Sequence, residues 1–131
     1  MARPTIFVLD DDPTILRMAK SALKRLGDVR EAALWSQISS PLLTAARVGE
    51  RVVLVCDLEM PGINGAEFCR IVRRHAASVR IVIFSSKTED APEGVADAVI
   101  PKQAGITALV KRVQGFLDTA PPPTPLQPTL T

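Results

Sequence analysis

Four short runs in the chain are almost wholly apolar: IFVL (Ile6–Leu9), VVLVC (Val52–Cys56), IVIF (Ile81–Phe84) and AVI (Ala98–Ile100). They do not alternate with polar residues. Continuous β-branched runs of this length predict strands covered on both faces, as in a parallel sheet. A fifth run, VREAA (Val29–Ala33), is polar enough to be an edge strand. Between the runs the apolar period lengthens to that of helices. In DPTILRMAKSALKRLG, Asp12 is the expected N-cap, Pro13 the first helical residue and Gly27 the stop. Ile15, Met18, Ala19, Ala22, Leu23 and Leu26 form its apolar stripe. SPLLTAARVG repeats the same grammar with Ser40, Pro41 and Gly49. GAEFCRIVRRHA sets Phe68, Ile71 and Val72 inward, with Arg70, Arg73 and Arg74 towards water. ITALVKRVQGFL turns Ile106, Leu109, Val110, Val113 and Leu117 inward.

Strand and helix alternate, which predicts right-handed βαβ crossovers and a doubly wound, five-stranded parallel α/β sheet. A length of 131 residues suits one domain, expected over 1–119. Residues 120–131 are proline-rich and read as an extended tail or linker. The stretch from Ser85 to Lys102 is short. After strand and loop are subtracted, about APEGVA remains for a fourth helix, fewer than about two turns. Pro92 and Gly94 disfavour even that, so Lys87 to Ala96 is expected to be short or irregular.

Composition narrows the class. The chain is 47% hydrophobic and carries a net charge of +2. Its Arg and Lys residues are dispersed, unlike the clustered footprint of a nucleic-acid binder, so no direct nucleic-acid contact is expected. No apolar run approaches the roughly 20 residues of a membrane span, and the N-terminal apolar stretch is too short for a signal peptide. Cys56 and Cys69 lack metal-ligand spacing and read as reduced core residues of a cytoplasmic protein.

In an open parallel sheet, ligands bind beyond the carboxyl ends of the strands. Asp10, Asp11 and Asp12 follow the first apolar run, Asp57 follows VVLVC, Ser85 and Ser86 follow IVIF, and Lys102 follows the last run after Pro101. Acids, a hydroxyl and an ammonium thus converge on one edge. Clustered carboxylates need a cation, and all-oxygen donors suit a hard ion such as Mg²⁺. With a hydroxyl and a lysine beside them they form a cradle for phosphoryl oxygens, in which Asp57 can be the nucleophile.

VLDDD, DLEMPGINGAEF, IVIFSS and VIPK together resemble the receiver domain of two-component response regulators, from Thr5 to about Asp118. The motif D-x-x-MP-x-x-x-G is its strongest part. The resemblance implies a flavodoxin-like receiver fold and a phosphoacceptor, not an enzyme in its own right, that supports its own Mg²⁺-dependent phosphoryl transfer and dephosphorylation. It implies that Asp57 accepts phosphate in a histidine–aspartate phosphorelay. Asp11 would ligate Mg²⁺ directly, Asp10 through water, and the Glu59 carbonyl would be a further ligand. Ser85 and Lys102 would hold the phosphoryl oxygens. The donor would be a sensor histidine kinase or a histidine phosphotransfer protein, and signalling would run through contacts with another protein. Glu59 and Lys87 lie two residues past Asp57 and Ser85, and are expected to pair across the site mouth and slow hydrolysis.

Two departures from the family bear on output. Val99 stands where many receivers carry an aromatic residue, and Gln103 where many carry proline. With the short fourth helix, they define an alternative: a phosphate-independent docking module with an altered output face. Other residues read plainly. His75 is expected at the surface, and Trp35 as a packing cap.

Overall fold

The computed structural model describes residues 3–119. The expected tail at 120–131 lies outside the described residues. Five strands form one parallel sheet: β1 (Thr5–Leu9), β2 (Asp28–Ala32), β3 (Val52–Cys56), β4 (Arg80–Ser85) and β5 (Ala98–Pro101). Their spatial order is β2-β1-β3-β4-β5, so the polar β2 is an edge, as its sequence predicts. Four helices connect or follow them: α1 (Pro13–Leu23), α2 (Ser39–Arg47), α3 (Gly65–His75) and α4 (Ile106–Asp118).

Successive strand residues point to opposite faces, and the core divides accordingly. Phe7, Leu9, Leu54, Cys56, Ile81 and Ile83 pack with Leu42 of α2 and Phe68 and Val72 of α3. Ile6, Val8, Val53, Val55, Val82 and Phe84 pack with Ala19 and Leu23 of α1 and Leu109 and Val113 of α4. Every residue of β1 and β3 is buried, which is what their unbroken apolar runs require.

The last strand behaves differently. In β5 burial alternates, and Val99 is 41% exposed. Val99 pairs in register with Ile83, so it belongs to the α2/α3 face. On that face the crossover from β4 to β5 supplies only a 3₁₀ turn at Thr88–Asp90 among the described residues. The expected irregularity is therefore observed, and it leaves Val99 uncovered. Ala91, Val95 and Ala96 from the same crossover cover part of the core.

Several local expectations need correction. Helix α1 ends at Leu23, with Lys24 as C-cap, and Gly27 is not a left-handed stop. Gly27 is needed because a Cβ there would lie 2.5 Å from the Pro4 carbonyl oxygen. Helix α2 begins at Ser39, so Ser40 and Pro41 are its second and third residues rather than cap and first residue. Met18 is exposed, because the α1 stripe that meets the core is narrower than the apolar pattern. Arg73 is not a solvated side chain. Its guanidinium donates to the carbonyls of Ala77, Val79 and Val95 and to the Asp97 carboxylate. Trp35 packs against the core with its ring centroid 6.2 Å from that of Phe68.

Candidate phosphoryl-transfer site

Register assembles the site. Leu9 pairs with Cys56, so the next residue of each strand, Asp10 and Asp57, stand side by side at the carboxyl edge. The Asp57 amide donates to the Leu9 carbonyl at 3.0 Å, which extends the ladder to the acid itself. Ser85 pairs with Pro101 one step further out, and Lys102 follows at once.

Asp10 and Asp57 are both buried. Lys102 Nζ lies between them, 2.8 Å from Asp10 Oδ2 and 3.2 Å from Asp57 Oδ2. The other oxygen of each acid accepts a backbone N–H: Asp12 N to Asp10 Oδ1 at 2.9 Å, and Glu59 N to Asp57 Oδ1 at 3.3 Å. Burial pushes the Asp10 carboxyl above its ordinary value, although the hydrogen bonds from Lys102 and the Asp12 amide oppose this. Burial also acts to lower Lys102, but its hydrogen bond with Asp10 and the charges of both acids outweigh that and raise it. The ammonium therefore stays charged. Asp12 is the N-cap of α1, its Oδ1 accepting from Thr14 N at 2.9 Å, so the third acid of the run has a local role.

Asp11 is exposed at the same edge. One carboxylate oxygen from each of Asp10, Asp11 and Asp57 can be chosen so that all lie within 4.8 Å of one another. An all-oxygen set of this charge and spacing fits a hard divalent ion, and receiver domains typically bind Mg²⁺ in such a pocket. Ser85 is fully buried, and its Oγ accepts the Lys87 amide at 3.2 Å, which leaves its own proton free to be donated. At the mouth, Lys87 Nζ lies 3.3 Å from Glu59 Oε2, and Ser86 Oγ donates to Glu59 Oε1 at 3.4 Å. The paired geometry expected for Glu59 and Lys87 is thus present. His75 is exposed at the end of α3.

Two contacts behind Asp57 were not legible beforehand. Cys56 Sγ lies 3.2 Å from the Asp57 carbonyl oxygen as a donor. A Cβ on Gly65 would fall 1.9 Å from that same oxygen. The glycine of the D-x-x-MP-x-x-x-G motif therefore lets the start of α3 press against the phosphoacceptor's own peptide. Spacing marks the glycine, but only the approach of α3 to β3 gives the reason. Asn64 caps α3 by accepting from Glu67 N at 2.8 Å, which fixes where the loop after Asp57 becomes helix.

The family model for the response regulator receiver domain matches residues 6–114. The DNA-binding response regulator MtrA of Mycolicibacterium smegmatis is 32% identical over 120 residues, covering 88% of this chain and 51% of that protein. The alkaline phosphatase synthesis transcriptional regulatory protein SphR of Synechococcus elongatus is 31% identical over 125 residues, covering 86% of this chain and 48% of its own length. The chain thus spans about half the length of these relatives. Their names connect the full-length proteins with DNA and transcription, and do not support extending the exclusion of nucleic acid to them. Among solved structures, the BeF3-activated DrrB receiver domain superposes with a TM-score of 0.76 at 24% identity, over 91% of this chain and 100% of that one. That likeness shows the fold. Response regulators of this kind interact with histidine kinases, and their receiver domains are generally not classical enzymes. No helix among the described residues is long and apolar enough to cross a membrane. By its family match and its relatives, the chain belongs to the response regulator receiver domains of two-component systems.

Proposed function

We propose that Asp57 accepts a phosphoryl group from a phosphohistidine on a sensor histidine kinase or a histidine phosphotransfer protein. The observation that carries this reading is the placement of Lys102 Nζ between two buried carboxylates, with the Ser85 hydroxyl beside them. A buried acid pair has no structural need for such an arrangement, because apolar residues of similar size would stabilise the fold as well or better.

In the transfer, one Asp57 carboxylate oxygen attacks phosphorus and forms the P–O bond of an acyl phosphate. The P–N bond to the donor imidazole breaks, its electron pair stays on nitrogen, and that nitrogen takes a proton from solvent. Lys102 swings from the Asp57 oxygen to a phosphoryl oxygen and keeps its charge there. The Ser85 hydroxyl donates to a second phosphoryl oxygen. Mg²⁺ fits beside Asp57, with Asp11 as a direct ligand, Asp10 through water and the Glu59 carbonyl as a further ligand, and it supplies charge that offsets the phosphoryl oxygens. Hydrolysis later returns the free carboxylate. Output passes through contacts with another protein, and a cytoplasmic location agrees with this donor and with two free, buried cysteines.

Intact-mass measurement tests the reading. Incubation with a small acyl-phosphate donor and Mg²⁺ should add one phosphoryl group to the wild type and none to Asp57→Asn. Equal labelling of both would overturn it, and so would labelling that ignores a chelator.

A further inference from the structure

The crossover from β4 to β5 lacks an α-helix, yet it is tied down at both ends by groups of the β3–α3 segment. Its first half meets the site. The Lys87 amide is held by Ser85 Oγ, while Ser86 and Lys87 both engage the Glu59 carboxylate. Its own hydrogen bonds there are a single 3₁₀ turn, Asp90 N to Lys87 O at 3.3 Å and Ala91 N to Thr88 O at 3.1 Å. The second half meets α3. Arg73 Nε donates to Val95 O at 3.0 Å, and Nη2 to Asp97 Oδ2 at 2.7 Å. The same Asp97 oxygen accepts Ile81 N at 2.8 Å, and the Asp97 amide bonds Ile81 O at 2.8 Å. Arg80 Nη1 stands 3.6 Å from the other Asp97 oxygen.

We infer that this crossover is a two-part strap. Ser86–Asp90 is a latch held by Ser85 and Glu59, and Ala91–Asp97 is an anchor held by Arg73, so that occupation of Asp57 releases the latch and leaves the anchor in place. The trigger rests on the phosphoacceptor reading above; the division into two parts does not. A phosphoryl group at Asp57 competes for both latch contacts. The Ser85 hydroxyl turns its proton towards a phosphoryl oxygen and gives up the Lys87 amide. The new negative charge repels Glu59 and attracts Lys87, which opens their pair. The anchor shares none of these groups. Its contacts are part-buried and lie at the far end of the crossover, where β5 begins. The strap takes the place of a helix as the element that responds, which suits a chain with Val99 in place of an aromatic ring.

Amide hydrogen exchange, read residue by residue by NMR, tests both claims. Without any ligand, Glu59→Ala should speed exchange at Lys87, Asp90 and Ala91 by about fivefold, the factor given by losing roughly one net hydrogen bond, and leave Ile81 and Asp97 unchanged. Arg73→Lys, which keeps the charge but loses the fork, should do the reverse. Core amides such as Leu54 report whether either variant has loosened the whole fold, and rates are compared relative to them. Equal acceleration of both halves by either variant, or none by both, overturns the two-part strap. Beryllofluoride with Mg²⁺ then tests the trigger: the latch amides should speed up and the anchor amides should not. If beryllofluoride shifts the Asp57 and Asp11 amides but leaves the latch unaltered, the trigger is wrong. If it shifts neither, the phosphoacceptor reading and the trigger fail together, and the variant results still decide the strap.

Discussion

Replacing Lys102 by methionine removes the one cation that meets both buried acids and keeps most of the side chain's bulk. With an effective dielectric near 20, the pairs at 2.8 and 3.2 Å are each worth about 5–6 kcal/mol before desolvation is subtracted. Most of that is offset by the cost of burying three charges. What remains is the penalty of leaving two carboxylates facing each other, about 3 kcal/mol for a broken buried pair, towards the low end because the lysine side chain is 21% exposed. For a domain of this size that lowers Tm by roughly 10 °C. Circular-dichroism melts at pH 7 without divalent ions measure it. The pH dependence has a definite sign. The Lys102 pKa is raised, so its stabilising contribution is complete below 10.5 and is lost only as pH climbs through the raised value. The gap between wild type and variant should therefore narrow above pH 10.5. It should also narrow in acid, as Asp10 takes up a proton somewhat above its ordinary 3.8. Mg²⁺ should restore much of the lost stability, and should bind the variant more tightly than the wild type because a competing cation has gone. Phosphorylation should still be impaired. A variant as stable as wild type in chelator at pH 7, or one that binds Mg²⁺ more weakly, would refute the reasoning.

Three further outcomes follow from the same geometry. Asp11→Ala should weaken Mg²⁺ binding more than Asp10→Ala, because direct coordination is assigned to Asp11; a metal titration giving the reverse order would contradict that assignment. Glu59→Ala and Lys87→Ala should each shorten the phosphoryl lifetime after donor removal, and the double variant should add little to either; purely additive effects would show that their 3.3 Å pair does not gate water. As an exposed pair it should contribute only about 0.2–1 kcal/mol to stability. Gly65→Ala should cost at least about 3 kcal/mol in urea unfolding, since its Cβ collides with backbone rather than with a side chain that can move; a neutral change would mean that α3 does not press on the Asp57 peptide.

The sequence carried the sheet because its central strands are buried on both faces, and a fully buried strand can only be written as an unbroken apolar run. The site was legible for a related reason. Asp10, Asp57, Ser85 and Lys102 each follow a strand directly, so parallel register alone brings them together. What escaped was set by packing between distant segments. Arg73 looks solvated from its place in an Arg-rich helix, and its four acceptors come from residues 77 to 97. The alternating burial of β5 follows from the lack of a helix over Val99, not from anything within AVI. Gly27 looked like a helix stop, but it is fixed by Pro4, which lies 23 positions earlier in the chain. Ser40 and Pro41 have good capping chemistry, yet Ile38 takes the N-cap position because its buried side chain ties the start of α2 to the core.

The most direct test of the central claim is to trap the acyl phosphate where it forms. Protein incubated with a phosphohistidine donor and Mg²⁺ is reduced with borohydride, which converts a phosphorylated aspartate to homoserine, and is then mapped by peptide mass spectrometry. The account predicts homoserine at position 57 alone, abolished by chelator and nearly abolished in Lys102→Met. Reduction at Asp10, Asp11 or Glu59 instead, or stable phosphate on His75 with position 57 intact, would contradict it.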